Sequence, residues 1–349
     1  MNYSLIKKSI FKFPDDAAEG PFKIINPFYF IYPTCEEIKC INMKTEKTNF
    51  ILENKEGLAE PYFGLVNELK LIVKPTESKV VLYQIDKSLT KYKKIKDIKV
   101  KGFQIARSLS NEGYIIGCEK MILVYNSNDE LEFNFATQFD FFGFDYHITP
   151  PFEIKIEKNE NNNLLIIPKG NNTNIYLRKS FKNVMNINAL INDALDMKDG
   201  NIILACEEKL VLVDIKSYKI EYEAECPQIE DDLKYLAPHS FCDIFDFKDN
   251  LFITISGYHN ATDNSYLLTV WNYLLNKNNK IENVQSLKFD DYNLMLDKEK
   301  LLIMDDDESI IQLNIKEIKG KAKNMVKTTT ESEFNKNKKK KKKLIIRYI

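Results

Sequence analysis

Short apolar runs separated by polar turns recur along this chain, most regularly over residues 194–225. That stretch, ALDMKDGNIILACEEKLVLVDIKSYKIEYEAE, holds four runs: ALDM, NIILAC, KLVLVDI and KIEYEAE. The separators are Asp199-Gly200, Glu207-Glu208 and residues 216–218. Runs this short, rich in β-branched and aromatic residues and bounded by turn residues, predict a four-stranded antiparallel meander. One meander cannot bury its own face, so the pattern predicts copies packed beside it.

The third run ends in a hydrophobe followed by Asp, and a similar pair closes six other apolar runs. The pairs are Ile41-Asn42, Tyr83-Gln84, Tyr125-Asn126, Leu177-Arg178, Val213-Asp214, Trp271-Asn272 and Leu313-Asn314. Successive pairs lie 42, 42, 52, 36, 58 and 42 residues apart. Each anchor run follows a partner run across a short polar turn: PFYFIYP, KLIVK, YIIGC, NLLIIP, NIILAC, LFITISGY and LLIMD. Six are followed by a further strand: TNFILE, KIKDIKV, ELEFNFA, FKNVMNI, KIEYEAE and KIENVQSLKF. A period of about 40–45 residues with four strands per copy is that of a propeller blade.

The expected fold is therefore all-β, a seven-bladed β-propeller of four-stranded antiparallel blades over residues 1–320. The seventh anchor is followed by KEIKGKAK, a poor strand, whereas SLIKKSIFKF near the N-terminus is a good strand without an anchor. That N-terminal strand is expected to close the ring as the outer strand of the last blade, which leaves only short protected edges.

Trp271-Asn272 in LLTVWN resembles the Trp-Asp dipeptide of WD-repeat propellers, and the other six anchors share its phase. The resemblance covers residues 3 to 318 as a repeat architecture. It implies a rigid ring that binds protein partners. The Gly-His pair of the full pattern is absent, and only Val213-Asp214 keeps the Asp. The resemblance therefore does not carry over the internal hydrogen-bond network that the family builds from that His and Asp.

Two departures from the period mark inserted chain. One spans residues 137–151, TQFDFFGFDYHITPP, and the other residues 226–241, CPQIEDDLKYLAPHSF, with a longer turn at HNATDNS. Loops on a rigid scaffold are where function concentrates. The first insertion brings Phe139, Phe141, Phe142, Phe144 and Tyr146 together. These aromatics either plug the junction between the third and fourth blades or form an exposed anchor for a partner.

Composition changes the picture mainly at the C-terminus. The net charge of −1 divides into +9 over residues 321–349 and −10 over the rest. The tail carries Lys336, Lys338, Lys339, Lys340, Lys341, Lys342 and Lys343, with no periodic apolar face before its last residues. It is expected to be disordered. Its readings are a nuclear import signal, a nucleic-acid contact, a tether to an anionic membrane, a segment folding back on the acidic body, or a run without function. No run approaches the roughly 18 apolar residues of a membrane span, and no secretory signal is visible. The six cysteines show no CxxC and are expected to be reduced thiols of an intracellular, cytoplasmic protein, with the nucleus reachable through the tail.

Candidate chemistry is sparse. His147, His239 and His259 fall in or beside insertions and turns. Cys35 and Cys40 lack a zinc spacing. Residues 305–308, DDDE, lack the alternation and central Gly of a calcium loop and read as a solvated turn. No phosphate loop, GxGxxG, GxSxG or HExxH occurs. The expectation is a non-catalytic protein-interaction scaffold without a cofactor or metal, a subunit or adaptor of a larger complex. A propeller recruited by its tail to nucleic acid or membrane is the second reading. A propeller enzyme is the third, and carboxylates or histidines converging on the central channel would favour it.

Overall fold

A computed structural model describes residues 3–317 except 18–21, 26–27, 35, 54–61, 68, 77, 111–112, 137–150, 158–162, 228–239, 261–262, 275–279, 290–293, 299 and 305–308. Leu5–Asn314 form one compact unit. Met1–Ser4 and Ile315–Ile349 form another, described only at the outer ends of two strands.

The described residues hold twenty-eight strands and no helix. Blade 1 comprises β2 (Lys23–Ile25), β3 (Tyr29–Pro33), β4 (Glu37–Asn42) and β5 (Lys47–Glu53). Blade 2 comprises β6 (Tyr62–Asn67), β7 (Lys70–Thr76), β8 (Lys79–Ile85) and β9 (Tyr92–Lys99). Blade 3 comprises β10 (Phe103–Ser108), β11 (Tyr114–Cys118), β12 (Met121–Tyr125) and β13 (Leu131–Ala136). Blade 4 comprises β14 (Phe152–Ile154), β15 (Leu164–Lys169), β16 (Asn172–Leu177) and β17 (Asn183–Ile187). Blade 5 comprises β18 (Ile191–Asp196), β19 (Asn201–Cys206), β20 (Lys209–Asp214) and β21 (Lys219–Glu225). Blade 6 comprises β22 (Ser240–Lys248), β23 (Leu251–Asn260), β24 (Asp263–Leu274) and β25 (Lys280–Phe289). Blade 7 comprises β26 (Leu294–Asp297), β27 (Leu302–Met304) and β28 (Ser309–Glu317), with β1 (Tyr3–Lys12) as its fourth strand. The N-terminal strand thus closes the ring, as its lack of an anchor predicts.

First strands of adjacent blades meet one another: β6 with β10, β14 with β18, β18 with β22, and β26 with β2. The first strands therefore surround the axis, and the last strands form the rim. Middle strands bury both faces, which is why their sequences read as unbroken apolar runs. In β7, Leu71 and Val73 pack with Ile31 and Ile38 of blade 1, while Ile72 between them packs with Tyr114 and Ile116 of blade 3. In β19, Ile202 and Leu204 face blade 4 and Ile203 faces blade 6. Fully burying one such side chain contributes about 1.5–3 kcal/mol. Cys118 and Cys206 occupy matching positions at the ends of β11 and β19 and are fully buried. Burial pushes both thiols up to about 12, so they behave as small apolar residues.

The repeating Asp or Asn has a local cause. Asn42 Oδ1 accepts from the N–H groups of Lys44 and Thr45 at 3.0 and 3.2 Å. Asn126 Oδ1 accepts from Asn128 and Glu130 at 3.0 and 2.9 Å. Asp214 accepts from the Lys216 N–H at 3.1 Å and the Ser217 hydroxyl at 2.5 Å. Each side chain caps the turn that reverses the chain from third strand to fourth. The turns close on left-handed residues, Glu46 (φ 56°), Asp129 (φ 65°) and Tyr218 (φ 53°). In blade 2 the cap moves two residues on: Asp86 accepts from the Thr90 and Lys91 N–H groups, both at 2.8 Å.

Blade 6 keeps a buried hydrogen bond without the His or Asp of the full WD pattern. Trp271 Nε1 donates to Thr254 Oγ1 at 2.8 Å, and its ring stacks on Phe252 with centroids 6.2 Å apart. One expectation needs correction. HNATDNS is not a long turn, because β23 and β24 stay paired out to Asn260 and Asp263. Two strands held in register satisfy each other's backbone groups, so the hairpin lengthens rather than opening into a loop.

Replacing Thr254 by Val keeps the volume but leaves the Trp271 N–H unpaired in the core. The expected loss is about 1–3 kcal/mol, read as a lower urea midpoint with an unchanged slope.

Candidate functional site in the central channel

Strand pairing places one residue of each first strand at a common level. Lys23, Gly64, Arg107, Glu153, Leu195, Phe245 and Asp297 pair with Ile31, Ile72, Ile115, Leu165, Ile203, Ile253 and Leu302. Those seven pair in turn with Cys40, Leu82, Val124, Tyr176, Leu212, Val270 and Gln312, each two residues before its anchor. Around the axis the level therefore reads Lys, Gly, Arg, Glu, Leu, Phe, Asp from blade 1 to blade 7.

A second level carries Asp193 and Asp243, at matching positions in β18 and β22 opposite Ala205 and Ile255. Lys298, just past the end of β26, makes an ion pair with Asp193 and lies 3.6 Å from Asp243. The Ile244 N–H donates to Asp193 at 2.8 Å. This bridge ties blade 7 to blades 5 and 6. The Lys298 side chain keeps 42% of its surface, against 12% for Asp193, as expected of a lysine reaching along an open channel. Burial pushes the Asp193 carboxyl up, Lys298 pulls it back, and Asp243 adds to the push. Burial also works against the Lys298 ammonium, but the two carboxylates outweigh it and hold it above the ordinary lysine range.

The other side of the channel is cationic. Arg107 acts electrostatically on Lys23 of blade 1 and on Lys298 of blade 7, a reach that only a position near the axis allows. Burial, with Arg107 beside it, brings the Lys23 ammonium down to about 8. Among the described residues no carboxylate pairs with Lys23. The two acids at its level are engaged elsewhere. Glu153 accepts from the Ser110 hydroxyl at 2.8 Å and from Asn163 Nδ2 at 3.0 Å, joining blades 3 and 4. Asp297 binds Lys300 at 2.9 Å.

Carboxylates thus converge on the channel, but a lysine bridge and a backbone amide satisfy them. Among the described residues no group of three His, Cys, Asp or Glu side chains is arranged to hold a metal ion. Phe139, Phe141, Phe142, Phe144 and Tyr146 lie outside the described residues, as do Lys336 and residues 338–343. The channel charges escape sequence reading because they lie on or just past first strands whose apolar and polar residues do not alternate. Counting back from the anchors through the register is the signal that finds them.

No family model matches the chain, and no curated protein matches it. Solved structures do. A chain of the mitotic checkpoint complex is 8% identical, with 88% of this chain and 90% of that one covered and a TM-score of 0.57. Sqt1 of Saccharomyces cerevisiae is 12% identical over 81% and 78% of the two chains, with a TM-score of 0.54. BamB of Moraxella catarrhalis is 10% identical over 89% and 99%, with a TM-score of 0.50. At these identities the likeness is one of fold: the chain is a seven-bladed propeller of WD-repeat-like architecture.

Lys298→Met removes the ammonium that bridges Asp193 and Asp243. The expected destabilisation is about 1–3 kcal/mol at pH 7, below the value for a fully buried pair because Lys298 is partly exposed. It shrinks towards pH 4 as the Asp193 carboxyl, pushed up by burial, takes up a proton, and adding Asp193→Asn recovers part of it; chemical denaturation at both pH values checks this. Lys23 gives the opposite trend. A folded-state value of about 8, below the ordinary lysine value of 10.5, means that the unfolded chain binds more protons between these limits. Stability of the wild type relative to Lys23→Met is therefore expected to rise from pH 8 to pH 10, by about 1–2 kcal/mol after discounting for partial exposure.

Proposed function

We propose that this protein is a non-catalytic interaction scaffold that binds other proteins as a subunit or adaptor of a larger assembly. The observation that carries the reading is a ring in which Lys298, Asp193, Asp243 and Glu153 join blades, while the chain breaks its repeat period with added material at residues 137–151 and 226–241. A rigid ring with variable loops offers surface rather than chemistry. The fold neighbours are consistent with this, since one of them is a chain of a named multiprotein complex. The Lys-rich tail, with its net charge of +9 over residues 321–349, adds an electrostatic route to anionic partners.

The aromatic insertion is the proposed contact. Affinity purification of the tagged protein is expected to return a stable partner. Replacing Phe141 and Phe142 together by Ala is expected to release it while the far-ultraviolet circular dichroism and thermal midpoint stay unchanged. An unchanged set of partners would remove this segment from the interface.

A further inference from the structure

We propose that the rim of blades 7, 1 and 2 is a docking edge that lays the ring against a bilayer carrying anionic phospholipids. Its strands are β1, β5 and β9, the outermost strand of each blade. Large apolar side chains stand exposed on all three: Ile6 and Ile10 on β1, Ile51 on β5, and Tyr92 and Ile95 on β9. Eight lysines lie on the same strands against Glu53 and Asp97. The rim of blades 3 to 5 has the opposite sign: β13, β17 and β21 hold Lys219 against Glu132, Glu221, Glu223 and Glu225. One side of the rim therefore suits an anionic interface, and the other is repelled by it.

β9 shows the pattern most clearly. Residues 86–101 hold seven lysines and two aspartates, a net +5 within a body of net −10. Ile95 has no cross-strand partner, because the register with β8 shifts between Lys94 and Lys96, and the bulge leaves it 38% exposed. Lysines and a bulge also keep an edge strand from pairing with another edge. That protective role needs no exposed tyrosine or isoleucine, whereas an interfacial site needs charge and apolar area together. A nucleic acid would need flat aromatic faces on which its bases stack. Tyr92 meets Tyr83 edge to face, with centroids 5.7 Å apart, and also packs against Phe50. The other exposed apolar side chains named here are aliphatic, which favours lipid. This edge depends neither on the protein-partner reading above nor on the Lys-rich tail.

Co-sedimentation of the full chain with vesicles tests the proposal, phosphatidylcholine alone being compared with phosphatidylcholine containing about one third phosphatidylserine. The expected result is binding to the anionic vesicles alone, weakened steeply by salt. Replacing Lys93 and Lys94 together by Gln should lower the partition coefficient about tenfold. Ile95→Ser should lower it several-fold with every charge kept. The tail is intact in each variant, so such losses assign the binding to the rim. In the wild type, hydrogen exchange over residues 92–99 must slow when anionic vesicles are added, which decides the matter even if a variant fails to fold. No binding to anionic vesicles, equal binding to neutral ones, or wild-type binding by both folded variants overturns the proposal. So does a duplex oligonucleotide that binds through Lys93 and Lys94 while vesicles do not.

Discussion

A four-stranded sheet with two apolar faces cannot stand alone in water, and this fold follows from that constraint. Each blade covers one face of the next, so Leu71 and Ile72, adjacent in β7, are buried against different neighbours. A linear stack would leave two blades with an uncovered face. Curving the stack into a ring removes them, and pairing β1 with β28 joins the chain's beginning to its last blade. Stability of any blade is thus inseparable from that of its neighbours.

Within that constraint the turns carry the repeat. Asn42, Asn126 and Asp214 each hold two or more donors of the turn that follows, which explains why a small polar residue recurs at these positions although a Trp precedes it only at Trp271-Asn272. Trp271 and Thr254 keep one buried hydrogen bond of a kind that fixes the pairing of strands without a histidine. The fold therefore tolerates wide sequence change as long as apolar runs, turn caps and spacing persist. Identities of 8–12% to other propellers agree with this.

The channel obeys a different rule. First strands run from three residues in β2 and β14 to nine in β22, and their edges lie on the axis rather than in a dry interface. Charges are tolerated there and become useful. Asp193, Asp243 and Lys298 join blades 5, 6 and 7, and Glu153 joins blade 4 to blade 3. Burial and the nearby Arg107 charge together disfavour the Lys23 ammonium at that level of the channel.

Spacing, run length and turn residues by themselves determined the blade number, the seven central hairpins, the rim strands and the closing role of the N-terminal strand. Those features are local, or repeat at a fixed interval, so they survive as pattern in one dimension. The break in period at residues 137–151 was legible for the same reason. The first strands were mostly not legible, because Lys23, Arg107 and Asp193 interrupt the alternation that identifies a strand. Nor could the chain's order reveal that Asp193 and Lys298, 105 residues apart, share an ion pair. Only closing the ring brings them to one axis, where a low-dielectric wall makes their charges act on each other.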